Sequence, residues 1–279
     1  MSPDTDGHGG HGGHRHDDRG ADSAGVPWAG RSFEENPHAA DDGSADPALS
    51  AALAAFRAGT GDQVAVVDAY RAARLLIPLV AEKGAPQPAG ETAEPREPDV
   101  GAHGLQVDKT QELSIVTVAA PDGRRVLPVF TSVAAMTRWD AAARPVPADG
   151  VRTALAAADD DTDLIVVDPG SDTEFVLRRP AVWAIAQSRA WEPSFRSPDV
   201  FAGLHESIGG ELAVLDLGVE PGDPSARLRG PELVVRLHLI EGLEPAELDA
   251  VLQRLARRWA SDDRIAVLVD SLTVKLVRG

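Results

Sequence analysis

A chain of 279 residues with 43% hydrophobic and 25% charged side chains has enough apolar material for one or two buried cores. It contains no cysteine, which excludes disulfides, thiolate metal sites, iron–sulfur ligation and a cysteine nucleophile. Its formal charge of −17 speaks against nucleic acid or an anionic membrane as the main ligand, since both require clustered positive charge.

Residues 1–48 hold ten acids against Arg15, Arg19 and Arg31, and residues 84–109 hold five against Arg96 and Lys109. Most of the net charge therefore lies in two segments, and the rest of the chain is mildly acidic. Residues 1–46 are rich in Gly, His and Asp, with Val26, Trp28 and Phe33 as their large apolar side chains. Such a composition cannot offset the entropy of ordering, so a disordered tail is expected. The tail lacks the basic start and apolar core of a secretory signal. No apolar run is long enough to span a bilayer: the best, Leu75 to Ala81, contains Pro78. A cytoplasmic protein is expected.

Asp46-Pro47 reads as an N-cap and first helical residue, with Leu49, Leu53 and Phe56 on one face and Gly59 as the stop. A second helix is expected over 62–73, then a buried strand over 74–81 in which Pro78 suggests an edge or a bulge. Residues 84–109 interleave prolines with glutamates and read as a disordered loop. Strands over 113–119 and 125–130 flank Pro121-Asp122-Gly123, a hairpin signal. Thr131 or Ser132 can cap a helix carrying Val133, Met136 and Trp139. A helix over 149–158 offers Val151 and Leu155 to the core. Strands over 164–167 and 174–178 bracket the turn Asp168-Pro169-Gly170, and Pro180 opens a helix burying Val182, Trp183 and Ile185 or Ala186.

Pro193 and Pro198 mark a connection. Beyond it come a short helix over 199–207, strands over 211–217 and 232–240, and the clearest helix of the chain, from Pro245. That helix carries Leu248, Val251, Leu252, Leu255 and Trp259 on one stripe. Ile265–Val269 and Leu272–Val277 read as strands. The fold class is α+β with mainly hairpin-connected strands. The expected organisation is a tail over 1–46, a mixed domain over 47–190 interrupted by the 84–109 loop, a connection over 191–205 and a smaller α+β module over 206–279.

Leu127-Pro128-Val129-Phe130-Thr131-Ser132-Val133, followed by Met136 and Trp139, resembles the signature of SseB-type N-terminal domains. Leu164 to Gly170 and Glu174-Phe175-Val176-Leu177 match in order, and Arg74 to Val80 resembles the first strand of actinobacterial relatives. The likeness spans about residues 49–190, and the terminal module resembles the companion C-terminal region of the same proteins. It implies an α+β fold and no established enzymatic activity. It departs at Asp168, where many relatives carry Asn, which counts against a chemical role for the carboxylate.

Candidate chemistry is thin. His8, His11, His14 and His16 can chelate Zn or Ni, but nothing in a Gly-rich tail fixes the imidazoles, so incidental affinity is expected. Asp159, Asp160, Asp161 and Asp163 lack the spacing and terminal Glu of a calcium loop. His205-Glu206 lacks the second histidine of a zinc protease, and His238 alternates out of a strand core. Gly59-Thr60-Gly61 lacks the Lys-Ser/Thr of a phosphate cradle, and Arg254, Arg257 and Arg258 read as a solvated helix face. No catalytic, cofactor or metal residue is nominated. The expectation is a non-catalytic protein-interaction or regulatory module that binds another protein, with no nucleic acid, no membrane and homodimerisation through edge strands left open. The alternative is a small-molecule sensor or an unrecognised hydrolase using Thr131, Ser132 and Asp168.

Overall fold

The computed structural model describes residues 41–83, 111–115, 117–120, 122–159, 162 and 164–278. The expected tail up to residue 40, the 84–109 loop, and Asp160, Asp161 and Asp163 lie outside the described residues. Helix α1 (Pro47–Arg57) starts where the Asp46 carboxylate accepts the N–H groups of Ala48 and Leu49, each at 2.9 Å. Gly59 reverses the chain with φ 71°, and α2 (Gln63–Ala72) is capped by Asp62 in the same way. Both helices bury the faces that their spacing marks, Leu49 and Leu53 against Val66, Val67 and Tyr70.

Strand β1 (Arg74–Lys83) lies between β2 (Gln111–Ile115) and β5 (Arg144–Asp149), antiparallel to both. Pro78 is therefore not on an edge strand. Leu76 exchanges hydrogen bonds with Phe130 on one side of β1, so Pro78, two residues on, faces the gap before the β2 ladder begins at Leu79. Strand β5 carries Pro145 and Pro147 opposite Pro78 and Leu76. Those β1 residues turn their polar groups away from β5, so each proline's missing N–H faces outward and costs no ladder bond.

The expected strand over 113–119 is two pieces serving different sheets. Its first half is β2, and its second half is β3 (Val118–Ala119), which pairs with β4 (Arg125–Val129). The second sheet has the order β3-β4-β6-β7, with β6 (Leu164–Val167) and β7 (Phe175–Leu177). Strands β4 and β6 are parallel, so hairpins do not account for the centre of this sheet. The connection runs through α3 (Val133–Trp139), β5 and α4 (Gly150–Asp159). Helix α5 (Arg179–Ala186) succeeds β7.

Helix α4 buries Thr153, Ala154 and Ala157, whereas Leu155 is exposed and Val151 half-buried. The small face wins because α4 begins against the α2 backbone: a Cβ at Gly150 would lie 2.0 Å from the Tyr70 carbonyl oxygen. The Tyr70 hydroxyl meets the Thr153 hydroxyl at 2.5 Å inside this contact. Gly150→Ala is expected to destabilise the chain by about 2 kcal/mol through forced displacement of α4, read as a lower midpoint in urea unfolding. An unchanged midpoint contradicts the close approach. Trp183 on α5 is 37% exposed rather than core, lying beneath the Arg179 guanidinium at 5.3 Å.

A second core is built from α6 (Pro198–Ile208), β8 (Val214–Pro221), β9 (Leu233–Leu239), α7 (Pro245–Ser261), α8 (Asp263–Leu268) and β10 (Leu272–Arg278). The sheet order is β10-β9-β8, with β10 parallel to β9. The expected strand at Ile265–Val269 is helical up to Leu268. Asp262 accepts the N–H of Arg264 at 2.9 Å, and the buried positions Ile265 and Val269 are four apart, a helical spacing. Five apolar residues are too few to separate the two periods by sequence alone.

Candidate functional site

The parallel pair β4 and β6 brings two turns to one end of the sheet. Thr131 and Ser132 leave β4, and Asp168 leaves β6. The space beyond the carboxyl ends of parallel strands is where open α/β sheets accept ligands. Ser132 is the helix cap, accepting the Ala135 N–H at 3.1 Å. Thr131 turns instead to Asp168, which is 2% exposed. Its N–H donates to Oδ1 and its hydroxyl to Oδ2, both at 2.8 Å, and the Thr173 hydroxyl donates to Oδ2 at 2.9 Å. Asp168 adopts φ 46°, a left-handed conformation that Asp tolerates better than most residues. The strain is held in place by these three bonds and by the Ser171 N–H on the Asp168 carbonyl.

Between this turn and α3 lies a groove of about 630 Å³, walled by Arg138 and Trp139 on one side and residues 168–173 on the other. Trp139 rests on buried Phe130 with ring centroids 5.2 Å apart, so its ring is fixed while one side stays partly open. Arg138 is exposed and has no ion pair among the described residues. The groove thus offers a cation, an aromatic surface and turn backbone. Among the described residues, the groups that hydrogen-bond the Asp168 carboxylate are threonine groups, not a histidine or a second acid. The described histidines, His205 and His238, sit on α6 and β9.

A second cluster ties the two cores together. The Arg178 guanidinium at the end of β7 pairs with Asp223 at 2.9 Å and Asp270 at 3.1 Å, and donates to the Gly230 carbonyl at 2.7 Å. Arg124 reaches the same Asp270 at 2.8 Å. The β8–β9 loop also inserts Ala226 into the first core, where its carbonyl accepts the Val176 N–H of edge strand β7. Ala226 and Leu228 pay for this with φ of 49° and 55°, and Arg227 donates to the carbonyls of Ser171 and Asp172 at the groove wall.

Burial opposes the charge on Asp270, but hydrogen bonds and attraction from Arg124 and Arg178 outweigh it and hold the carboxyl below its ordinary value. Its contribution is present at neutral pH and lost as pH falls through that lowered value. Glu232 shows the opposite behaviour. Burial raises its carboxyl above the ordinary 4.5, and the Asp270 N–H only partly offsets this. Its protonated form suits the fold, so its contribution is full below 4.5 and lost as pH rises through the raised value. Glu232→Gln is therefore expected to raise the melting temperature at pH 7.5, with the gain shrinking towards pH 4. A gain that does not vary with pH contradicts the assignment.

Residues 49–184 match the family model of the SseB protein N-terminal domain. That stretch, just under half of the chain, is similar to an SseB domain. Curated proteins and solved structures provide no match.

The groove belongs to this SseB-like stretch, and the ion pairs fasten it to the second core. His238 lies half-buried on the outer face of β9, with Leu233, Val235, Leu237 and Leu239 buried on the other. Glu206 pairs with Arg264 at 2.7 Å, and His205 lies 3.9 Å from Asp216. Gly59-Thr60-Gly61 closes α1, with the Thr60 hydroxyl on the Ala55 carbonyl. Arg254 and Arg258 are not merely a solvated face, since both grip the buried Glu211, at 2.7 and 2.9 Å. Among the described residues, no group of three or more His, Asp or Glu side chains could hold a metal, and no helix is long and apolar enough to cross a membrane.

Sequence patterning does not reveal the Arg178 cluster. Its one signal is an arginine directly after the apolar run Phe175-Val176-Leu177, where alternation alone does not name a partner.

Proposed function

We propose that this chain is a non-catalytic protein-interaction module built on an SseB domain, with residues 206–279 as the companion C-terminal region. The observation that carries this reading is the use of Asp168. Its two oxygens serve Thr131 and Thr173, which shape the turn, and the neighbouring Ser132 hydroxyl is spent on the α3 cap. The outward-facing groups supply recognition chemistry, namely Arg138, the open side of Trp139 and a turn braced from the second module by Arg227. Affinity capture from native lysate with the full chain is expected to return a partner in stoichiometric amount. A chain that stays alone under several growth conditions contradicts the reading.

The groove volume favours one further reading, a small-molecule sensor, because about 630 Å³ lies within the range of ligand pockets. On that reading a metabolite thermal-shift screen returns a stabilising ligand whose effect Arg138→Glu abolishes, and a screen with no hit discards it.

A further inference from the structure

The sheet of the second module has two edges, and they differ. Strand β8 breaks register between Val214 and Asp216 and ends in Pro221, features that blunt an edge. Strand β10 runs in unbroken register with β9 from Leu272 to Arg278, and no described strand pairs with its other side. The Leu233 N–H donates to the Ser271 carbonyl at 3.0 Å, so residues 271, 273, 275 and 277 turn their polar groups to β9. Those of Leu272, Val274 and Leu276 consequently face the open side.

Beside the start of this edge lies a groove of about 580 Å³ between α7, α8 and β10. Its lining is mainly apolar, including Leu252, Trp259, Ile265 and Val274, and Ala256 keeps its floor low. The opposite face of β10 carries Lys275, whose side chain is 64% exposed with Glu220 as a distant partner at 3.9 Å. Arg179 lines the groove, and its guanidinium donates to the Ala266 and Val269 carbonyls without a carboxylate partner among the described residues.

We propose that β10 and this groove take an extended segment of another protein in which apolar and acidic residues alternate. An added strand pairs its backbone with Leu272, Val274 and Leu276. Period-two alternation then sends its apolar side chains into the groove and its acidic ones to the face of Lys275. Charge selects this occupant over a second copy, because antiparallel β10 strands of two copies bring both Lys275 side chains to one face. The surface is separate from the SseB groove, so Arg138→Glu leaves it intact and the failure of either proposal does not decide the other.

The test is fluorescence anisotropy of a labelled nine-residue peptide alternating valine and glutamate, titrated with the full chain. Saturable binding is expected, and a valine–lysine peptide should bind at least about tenfold more weakly. Leu276→Pro removes an N–H that faces away from β9, so it spares the β9 ladder and should weaken binding at least about tenfold. Ala256→Trp, at an exposed position, fills the groove and serves as the second variant if the proline variant unfolds. The proposal is overturned by absence of saturable binding, by equal affinity for the lysine peptide, or by wild-type affinity in a folded Leu276→Pro or Ala256→Trp. A dimer that Leu276→Pro converts to monomer, with no peptide bound, overturns it in favour of self-association.

Discussion

Arg178→Ala is expected to cost about 3–5 kcal/mol, the usual penalty for removing one partner of a buried ion pair. The loss is large because two acids stay behind without it. The Asp223 and Asp270 side chains are 2% and 1% exposed, so both are buried in the fold. Asp270 keeps Arg124, whereas among the described residues Asp223 keeps only the Leu228 N–H and the Ser225 hydroxyl. Arg124 is 32% exposed, so Arg124→Ala should cost only about 1 kcal/mol. For a folded region of this size, about 2–4 °C per kcal/mol translates the Arg178 effect into a fall of roughly 10 °C in melting temperature. Equal melting temperatures for the two variants would show that Arg178 does not hold the modules together.

Asp168→Ala should be the most damaging change in the groove beside α3, at about 3 kcal/mol. It leaves the buried Thr131 N–H without an acceptor, worth about 1–3 kcal/mol. It also places alanine at φ 46°, a left-handed penalty of about 1 kcal/mol. Asp168→Asn retains an acceptor and a side chain suited to that conformation, so it should cost about 1 kcal/mol or less. Urea unfolding of the pair separates the roles. If Asn is as harmful as Ala, the carboxylate charge matters beyond shaping the turn.

The elements legible in the sequence are those whose determinants lie within a few residues. Asp46-Pro47 starts a helix because cap and first turn are adjacent, and α7 shows its stripe over three turns. Strand β5 is not legible because Pro145 and Pro147 argue against a strand until Pro78 and Leu76 are known to lie opposite. Leu155 and Trp183 read as core because large apolar side chains usually are. The close approach at Gly150 and the cation above Trp183 are tertiary facts. The site divides in the same way. Thr131, Ser132 and Asp168 stand out as strand-end polar residues, with Ser132 and Thr131 as alternative caps. That one caps and the other braces Asp168 depends on β4 and β6 being parallel neighbours. The Arg178 cluster joins residues 45 and 92 positions apart, and Arg124 reaches Asp270 across 146. No local pattern encodes such pairs.

On the proposed reading, the groove beside Asp168 recognises a partner through its outer wall while Asp168 serves only to shape the turn. The most direct measurement is the affinity of the captured partner for three full-length forms: wild type, Asp168→Asn and Arg138→Glu. The expected result is near wild-type affinity for Asp168→Asn and at least about a tenfold loss for Arg138→Glu. Loss of binding in a folded Asp168→Asn, with Arg138→Glu unaffected, would contradict it.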